Sequence, residues 1–207
     1  CERVPKIAML LADAVEQTTS GKYKDFSMTE DERYELYIAA WLHDCGKVAT
    51  PTHIVDKATK LQTITDRIET VDTRFEVLKR DIEISMLKKQ IQIMKNGKMN
   101  SQISQIKSDY KKIIDQLNDD NKFIQETNFG GEFMELDDQK RVENIGKYTL
   151  VLNGTEVPFL NESDIRNLQI SKGTLLPEER KIINEHVNIT IDMLEKLPYP
   201  KKLKNVP

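Results

Sequence analysis

The residues with the clearest chemical potential are His43 and Asp44, which are adjacent at the end of an apolar helical stretch. A neutral imidazole and a carboxylate both offer lone pairs to a hard or borderline divalent cation, and a carboxylate can bridge two ions. Lys47 follows His43 by four positions, so on a helix it would lie on the same side and could contact a phosphate oxygen. A core histidine beside a capping aspartate explains the same dipeptide without any chemistry.

The other candidate groups give weaker signals. His186 lies on the apolar face of a later helix, where a lone histidine is commonly a satisfied core residue. His53 lies in a loop near Pro51, and we interpret it as a surface or loop-packing residue. Cys1 and Cys45 form neither a zinc-type pair nor a disulfide framework, so a reducing cytoplasm is the expected location.

Length and composition exclude several classes of protein. The chain has 207 residues, 38% of them hydrophobic, which is enough for a packed core. Its 31 basic and 34 acidic residues lack the basic excess typical of proteins that bind nucleic-acid polymers. The longest apolar runs are too short to cross a bilayer, so no membrane contact is expected. The chain does not begin with Met, and we expect it to be a piece of a longer protein.

The elements that must position these residues are predicted to be mainly α-helical. Helices are expected over 3–16 and from Thr29 to Gly46, the second with capping residues at its start. A helix beginning at Pro177 carries His186 on one side and ends before Pro198. We expect the apolar end of the second helix to be buried, which would bury His43 and Asp44.

The middle of the chain has a different pattern. Apolar residues three and four apart form narrow stripes over 62–95 and again over 103–117, separated by the turn-like pair Asn96-Gly97. This pattern predicts a long antiparallel helical hairpin that projects outward. Short helices at 132–144 and 163–168 are expected to flank a small β-hairpin over 148–160, with Asn153-Gly154 at its turn.

A larger pattern surrounds the His-Asp pair. The stretch Ala39-Ala40-Trp41-Leu42-His43-Asp44-Cys45-Gly46-Lys47-Val48, followed by Pro51, resembles the signature HD-x-GK-x-x-x-P of the HD phosphohydrolases. More narrowly, it resembles the HD-GYP group, which hydrolyses cyclic di-GMP. The segment Lys172-Gly173-Thr174-Leu175-Leu176-Pro177-Glu178-Glu179-Arg180 resembles a further family motif, and His186 falls where that group has a metal-binding histidine.

The resemblance implies a metal-dependent phosphodiesterase. Two or three iron or manganese ions would be held by His43, Asp44 and His186, with Asp44 bridging ions. A metal-bridging hydroxide would attack the phosphorus, and Lys47 would offset the charge of the substrate phosphate. The expected substrate is cyclic di-GMP or a related nucleotide.

The chain departs from the family pattern in two ways. The resemblance covers about 1–61 and 171–207, so we expect an HD-domain helical core in two parts, interrupted by a helical insertion with a small β-hairpin over 62–170. Other family ligands and the Gly-Tyr-Pro loop would fall beyond both ends. We therefore expect this stretch alone to bind metal weakly and to hydrolyse nothing efficiently.

Two other functions fit the same residues. The chain could be a catalytically degenerate HD signalling module that acts through its helical hairpin, by forming a homodimer or by contacting an upstream sensory domain or protein. It could also be an HD phosphohydrolase that acts on another nucleotide or phosphate ester.

Overall fold

The computed structural model describes residues 2–95, 100–131 and 133–206. It confirms a mainly helical chain with a small two-stranded antiparallel sheet. In chain order the elements are α1 (Arg3–Glu16), α2 (Glu30–Leu42), a 3-10 helix (Cys45–Ala49), α3 (Thr52–Val55), α4 (Ile68–Lys95), α5 (Asn100–Asn128), α6 (Leu136–Gly146), β1 (Thr149–Leu152), β2 (Thr155–Pro158), α7 (Glu162–Leu168), α8 (Pro177–Asn184), α9 (His186–Glu195) and a second 3-10 helix (Lys201–Leu203).

The chain divides into two compact units. The first, called unit 1 below, comprises the described residues of Cys1–Val55 and Pro177–Pro207, and unit 2 comprises Asp56–Leu176. The candidate residues of the HD-like motif all belong to unit 1. None of the helices within the described residues is both long and apolar enough to cross a membrane.

In unit 1, α1 forms over the predicted residues, and α2 begins at the predicted cap. The Thr29 hydroxyl accepts a hydrogen bond from the Glu32 amide at 3.3 Å, and the Glu32 carboxylate accepts one from the Thr29 amide at 2.7 Å. This reciprocal capping box satisfies two donors that the first turn of a helix would leave without partners. Arg33 then joins α2 to α1 by ion pairs with Glu16, at 2.7 Å, and with Asp13.

Three sequence predictions for unit 1 are wrong in detail. The helix that follows the cap residue Thr29 ends at Leu42, earlier than Gly46. The predicted loop after Pro51 contains the single turn of α3. The predicted continuous helix from Pro177 is interrupted at Glu185, so it forms α8 and α9. At this break, Nδ1 of His186 contacts the Ile183 carbonyl, an acceptor that helix backbone would otherwise use.

In unit 2, the long helices α4 and α5 pack against each other. Gln125, near the end of α5, donates a 3.0 Å hydrogen bond to Asp72, near the start of α4. The predicted turn at Asn96-Gly97 lies outside the described residues. The core beside these helices contains twelve buried hydrophobic residues: Leu61, Val71, Phe75, Leu117, Ile124, Met134, Val142, Ile145, Leu150, Phe159, Leu160 and Leu168.

The predicted β-hairpin is confirmed. Strands β1 and β2 pair antiparallel, with Leu152 opposite Thr155. The two turn residues, Asn153 and Gly154, have φ angles of 52° and 79°. Such a turn needs positive φ at both central positions, which Asn and Gly adopt at the lowest steric cost.

Candidate functional site

The first part of the site forms where α2 ends. His43 caps the C-terminus of α2, and Asp44 then leaves the helical region with φ of −120° and ψ of 16°. The chain continues as the 3-10 helix Cys45–Ala49, whose tighter winding turns Lys47 back towards Asp44. Lys47 Nζ lies 2.7 Å from Asp44 Oδ2. This local turn therefore places an imidazole, a carboxylate and an ammonium group within five residues.

The second part of the site comes from α9. The 3-10 helix packs on α9, and the buried Gly46 amide donates a 2.9 Å hydrogen bond to Thr190 Oγ1. A Cβ atom at position 46 would lie 2.5 Å from the Thr190 backbone nitrogen and closer still to the His186 carbonyl oxygen. Only glycine allows this approach, and the approach brings His186 to the site.

The two imidazole rings converge on the same carboxylate. Nε2 of His43 lies 3.1 Å from Asp44 Oδ2, and Nε2 of His186 lies 3.2 Å from Asp44 Oδ1. The histidines are 143 positions apart in the sequence, so only the packing of α9 on the 3-10 helix brings them together. The Asp44 side chain is 22% exposed and that of His186 is 15% exposed.

The outer nitrogens of both rings have backbone partners. Nδ1 of His43 lies 2.6 Å from the Ala40 carbonyl oxygen, and Nδ1 of His186 contacts the Ile183 carbonyl oxygen. A carbonyl accepts and cannot donate, so each Nδ1 carries a proton. Each Nε2 therefore faces a carboxylate that can only accept, so the contact is attractive when Nε2 carries a proton or when a cation lies between the two groups. A backbone carbonyl on the far nitrogen is also the arrangement that orients metal-binding histidines.

The charge of Asp44 is stabilised by its neighbours. The pKa of Asp44 is lowered, chiefly by the hydrogen bond from Lys47, and the positive charges of His43, Lys47 and His186 act in the same direction. Partial burial of the carboxyl opposes this shift. Asp44 is therefore an anion at neutral pH, ready to bind a cation without first losing a proton.

The distances within this donor set can be compared with the spacing of ligands around a divalent ion. Two ligand atoms that bind one ion at about 2.1 Å and at right angles are about 3.0 Å apart, close to both imidazole–carboxylate distances. Within the described residues, however, no group of three or more His, Cys, Asp or Glu side chains is arranged so that it could hold a metal ion. In this structure, Lys47 supplies positive charge to the carboxylate.

The structure places the predicted site residues as follows. His43, Asp44, Lys47 and His186 lie together, and His53 is an exposed residue of α3. The expectation that the end of α2 is buried is wrong, because Trp41 is 39% exposed and His43 is at the edge of the site. Thr190 was missed, since its role depends on a contact with Gly46 that no local pattern reveals.

Comparisons with known proteins give no family for the chain: no family model, no curated protein and no solved structure matches it.

Proposed function

We propose that the chain carries part of the metal site of a metal-dependent phosphodiesterase of the HD-GYP type, with cyclic di-GMP or a related nucleotide as substrate. One observation carries the proposal: two histidines far apart in sequence direct Nε2 to the two oxygens of one carboxylate, at 3.1 and 3.2 Å. The resemblance of the segment from Ala39 to Pro51 to the HD signature supports the same conclusion.

The residues have separate roles in this proposal. His43 and His186 supply nitrogen ligands, each oriented by a backbone carbonyl. Asp44 remains ionised, with Oδ2 beside His43 and Oδ1 beside His186 as oxygen ligands. Iron or manganese bound there would supply Lewis acidity and lower the pKa of a water nucleophile. When a phosphate approaches, Lys47 offsets its negative charge, which grows in the transition state.

The metal-binding part of the proposal is tested by titrating Mn²⁺ into the metal-free chain and measuring affinity by calorimetry. We expect Asp44→Asn to weaken binding by at least about tenfold, because it removes the charge while keeping the shape of the side chain. His43→Ala and His186→Ala should each weaken binding comparably. His53→Ala is the matched control, since His53 is exposed and lies outside the site.

Equal Mn²⁺ affinities for His43→Ala and His53→Ala would show that the His43 ring is no ligand and would remove the basis of the proposal. Circular dichroism of each variant separates the loss of a ligand from the loss of the fold.

The catalytic part is tested in the full-length protein, because this stretch alone is expected to hydrolyse nothing efficiently. The substrates are cyclic di-GMP and bis(4-nitrophenyl) phosphate, a less demanding diester, in the presence of Mn²⁺. Lys47→Met should lower the hydrolysis rate at saturating Mn²⁺ without abolishing metal binding, because Lys47 acts on the phosphate charge. A Lys47→Met protein with an unchanged rate would contradict the role given to Lys47, and a cyclic di-GMP rate unaffected by Asp44→Asn would contradict the proposed reaction.

A further inference from the structure

Helix α4 carries an exposed apolar stripe that is not part of the hydrophobic core of unit 2. Its four members follow one another at spacings of three, four and three residues. All four are large and at least 45% exposed: Ile84, Leu87, Ile91 and Met94. We call these four residues the outer stripe. Four neighbouring exposed apolar side chains on one helix are typical of an interaction surface.

The outer stripe is separate from the face of α4 that packs within unit 2. That face is marked by the buried residues Phe75 and Gln90 and by Ile82, which packs against the core. At 3.6 residues per turn, the outer stripe is centred about 120° around the helix from this face. The stripe therefore does not belong to the packing between α4 and α5.

The residue types of the outer stripe match a particular kind of helix pairing. With Ile84 and Ile91 at positions a, Leu87 and Met94 fall at positions d of a heptad pattern. Isoleucine at a with leucine at d favours a parallel two-stranded coiled coil. Two heptads alone would be marginal. Here α4 is already ordered by its packing in unit 2, so pairing does not have to offset the entropy of helix formation.

The charges beside the stripe distinguish the two possible orientations. Glu83 lies at position g and Lys88 at the following position e. In a parallel pair, Glu83 of each copy lies beside Lys88 of the other, which gives two opposite-charge contacts. In an antiparallel pair, Lys88 would lie near Lys88 and Lys95 of the other copy, which is repulsive. Within the described part of the chain, neither Glu83 nor Lys88 has an ion pair that would have to break first.

From the spacing, the exposure and the charges, we propose that the outer stripe binds a second copy of this chain, with the two α4 helices parallel and in register. The resulting dimer is independent of the proposed metal site.

The proposal is tested by sedimentation equilibrium of the whole chain over a wide concentration range. We expect a monomer–dimer equilibrium that Ile91→Glu weakens by at least about tenfold, because it would place two carboxylates in the apolar seam. Val151→Glu is the matched control. Val151 is 56% exposed, close to the 53% of Ile91, and it lies on β1, outside the stripe. We expect this control to leave the dissociation constant within about twofold of the original.

Orientation is tested by disulfide trapping in chains whose own cysteines are replaced by serine. The Leu87→Cys chain should cross-link to its own copy, since d positions face each other in a parallel pair. An antiparallel pair would instead cross-link a Leu87→Cys chain to an Ile91→Cys chain. Glu83→Lys should weaken the dimer, and Glu83→Lys with Lys88→Glu should restore it.

Three results would overturn the proposal. The first is a chain that remains monomeric at millimolar concentration. The second is a dimer that Ile91→Glu and Val151→Glu affect equally, because association would then use another surface. The third is preferential cross-linking between the Leu87→Cys and Ile91→Cys chains. Circular dichroism of each variant shows whether a lost dimer reflects a lost fold.

Discussion

The two units differ in what holds them together. All twelve residues of the hydrophobic core cluster lie in unit 2, and most are almost fully inaccessible to solvent. Unit 2 also exposes large apolar side chains, such as Ile64 and those of the outer stripe. Unit 1 contributes no residue to the cluster, and its exposed apolar residues include Val4, Ile7, Leu10, Leu11, Tyr34, Tyr37, Trp41, Val187 and Ile191. Its helices are joined by ion pairs, such as those of Arg33, and by close backbone contacts at Gly46.

The difference places the buried hydrophobic cluster in unit 2 and the candidate site residues in unit 1. Unit 2 buries aromatic side chains, for example Phe75 against Phe159 with ring centroids 4.5 Å apart. Unit 1 holds the histidines and the carboxylate with far less apolar burial. Because burial of apolar area is the dominant favourable term in folding, unit 1 should respond strongly to small changes at its few close contacts.

The largest effect is expected from truncation of the core of unit 2. Phe75→Ala removes a fully buried ring that packs on Phe159 and should lower the free energy of unfolding by about 4 kcal/mol. Leu11→Ala, at a residue of unit 1 that is 62% exposed, should change it by less than about 0.5 kcal/mol. Urea unfolding followed by far-ultraviolet circular dichroism measures both. Similar losses for the two variants would erase the contrast between the units.

The next largest effect is expected at Gly46, where the 3-10 helix and α9 approach each other closely. Gly46→Ala places a methyl group against the backbone of Thr190 and His186 and should destabilise unit 1 by about 2–3 kcal/mol. Trp41 is the only tryptophan of the chain and lies in unit 1, so its fluorescence during urea unfolding reports on this unit alone.

Gly131→Ala is the matched control for Gly46→Ala, because a Cβ at position 131 would meet no atom within 4 Å. It should leave the Trp41 transition unchanged. If Gly46→Ala also leaves that transition unchanged, α9 does not pack on the 3-10 helix as closely as the 2.5 Å distance from a Cβ at position 46 to the Thr190 nitrogen requires.

The sequence predicts helices and the β-hairpin well because their signals are local. The capping box at Thr29 and Glu32 and the turn at Asn153-Gly154 each depend on residues within a few positions. The break between α8 and α9 was not predicted, since the segment has an uninterrupted helical pattern. It coincides with the contact of His186 Nδ1 with the Ile183 carbonyl, a side-chain interaction that periodicity does not reveal.

For the candidate site too, local sequence signals identify residues but not the contacts between distant parts of the chain. The His43-Asp44 pair and Lys47 could be found from spacing, and His186 from a resemblance. Their geometry could not, because Gly46 and Thr190 meet across 144 positions of sequence. The pairing of Lys47 with Asp44 also follows from the 3-10 turn after α2, where the sequence favoured a helix continuing to Gly46.

The smallest expected effect concerns the charge of Lys60, a buried residue of unit 2. Lys60 is only 3% exposed, and its Nζ donates a 2.9 Å hydrogen bond to the Leu168 carbonyl. Burial lowers the pKa of Lys60 from 10.5 to about 8, although the charge of Asp138 opposes the shift. Between pH 8 and 10.5, the folded chain has therefore lost a proton that the unfolded chain still binds.

An unfolded state that binds more protons makes the free energy of unfolding rise with pH. Lys60 should thus increase the free energy of unfolding by on the order of 2 kcal/mol between pH 8 and 10.5. Urea unfolding of the original chain and of Lys60→Met at several pH values measures this increase as the difference between their pH slopes. Lys122→Met, at an exposed position of α5, should leave the slope unchanged. If Lys60→Met has the same slope as the original chain, burial does not lower the pKa of Lys60, and the Lys60 charge has no measurable cost for the fold of unit 2.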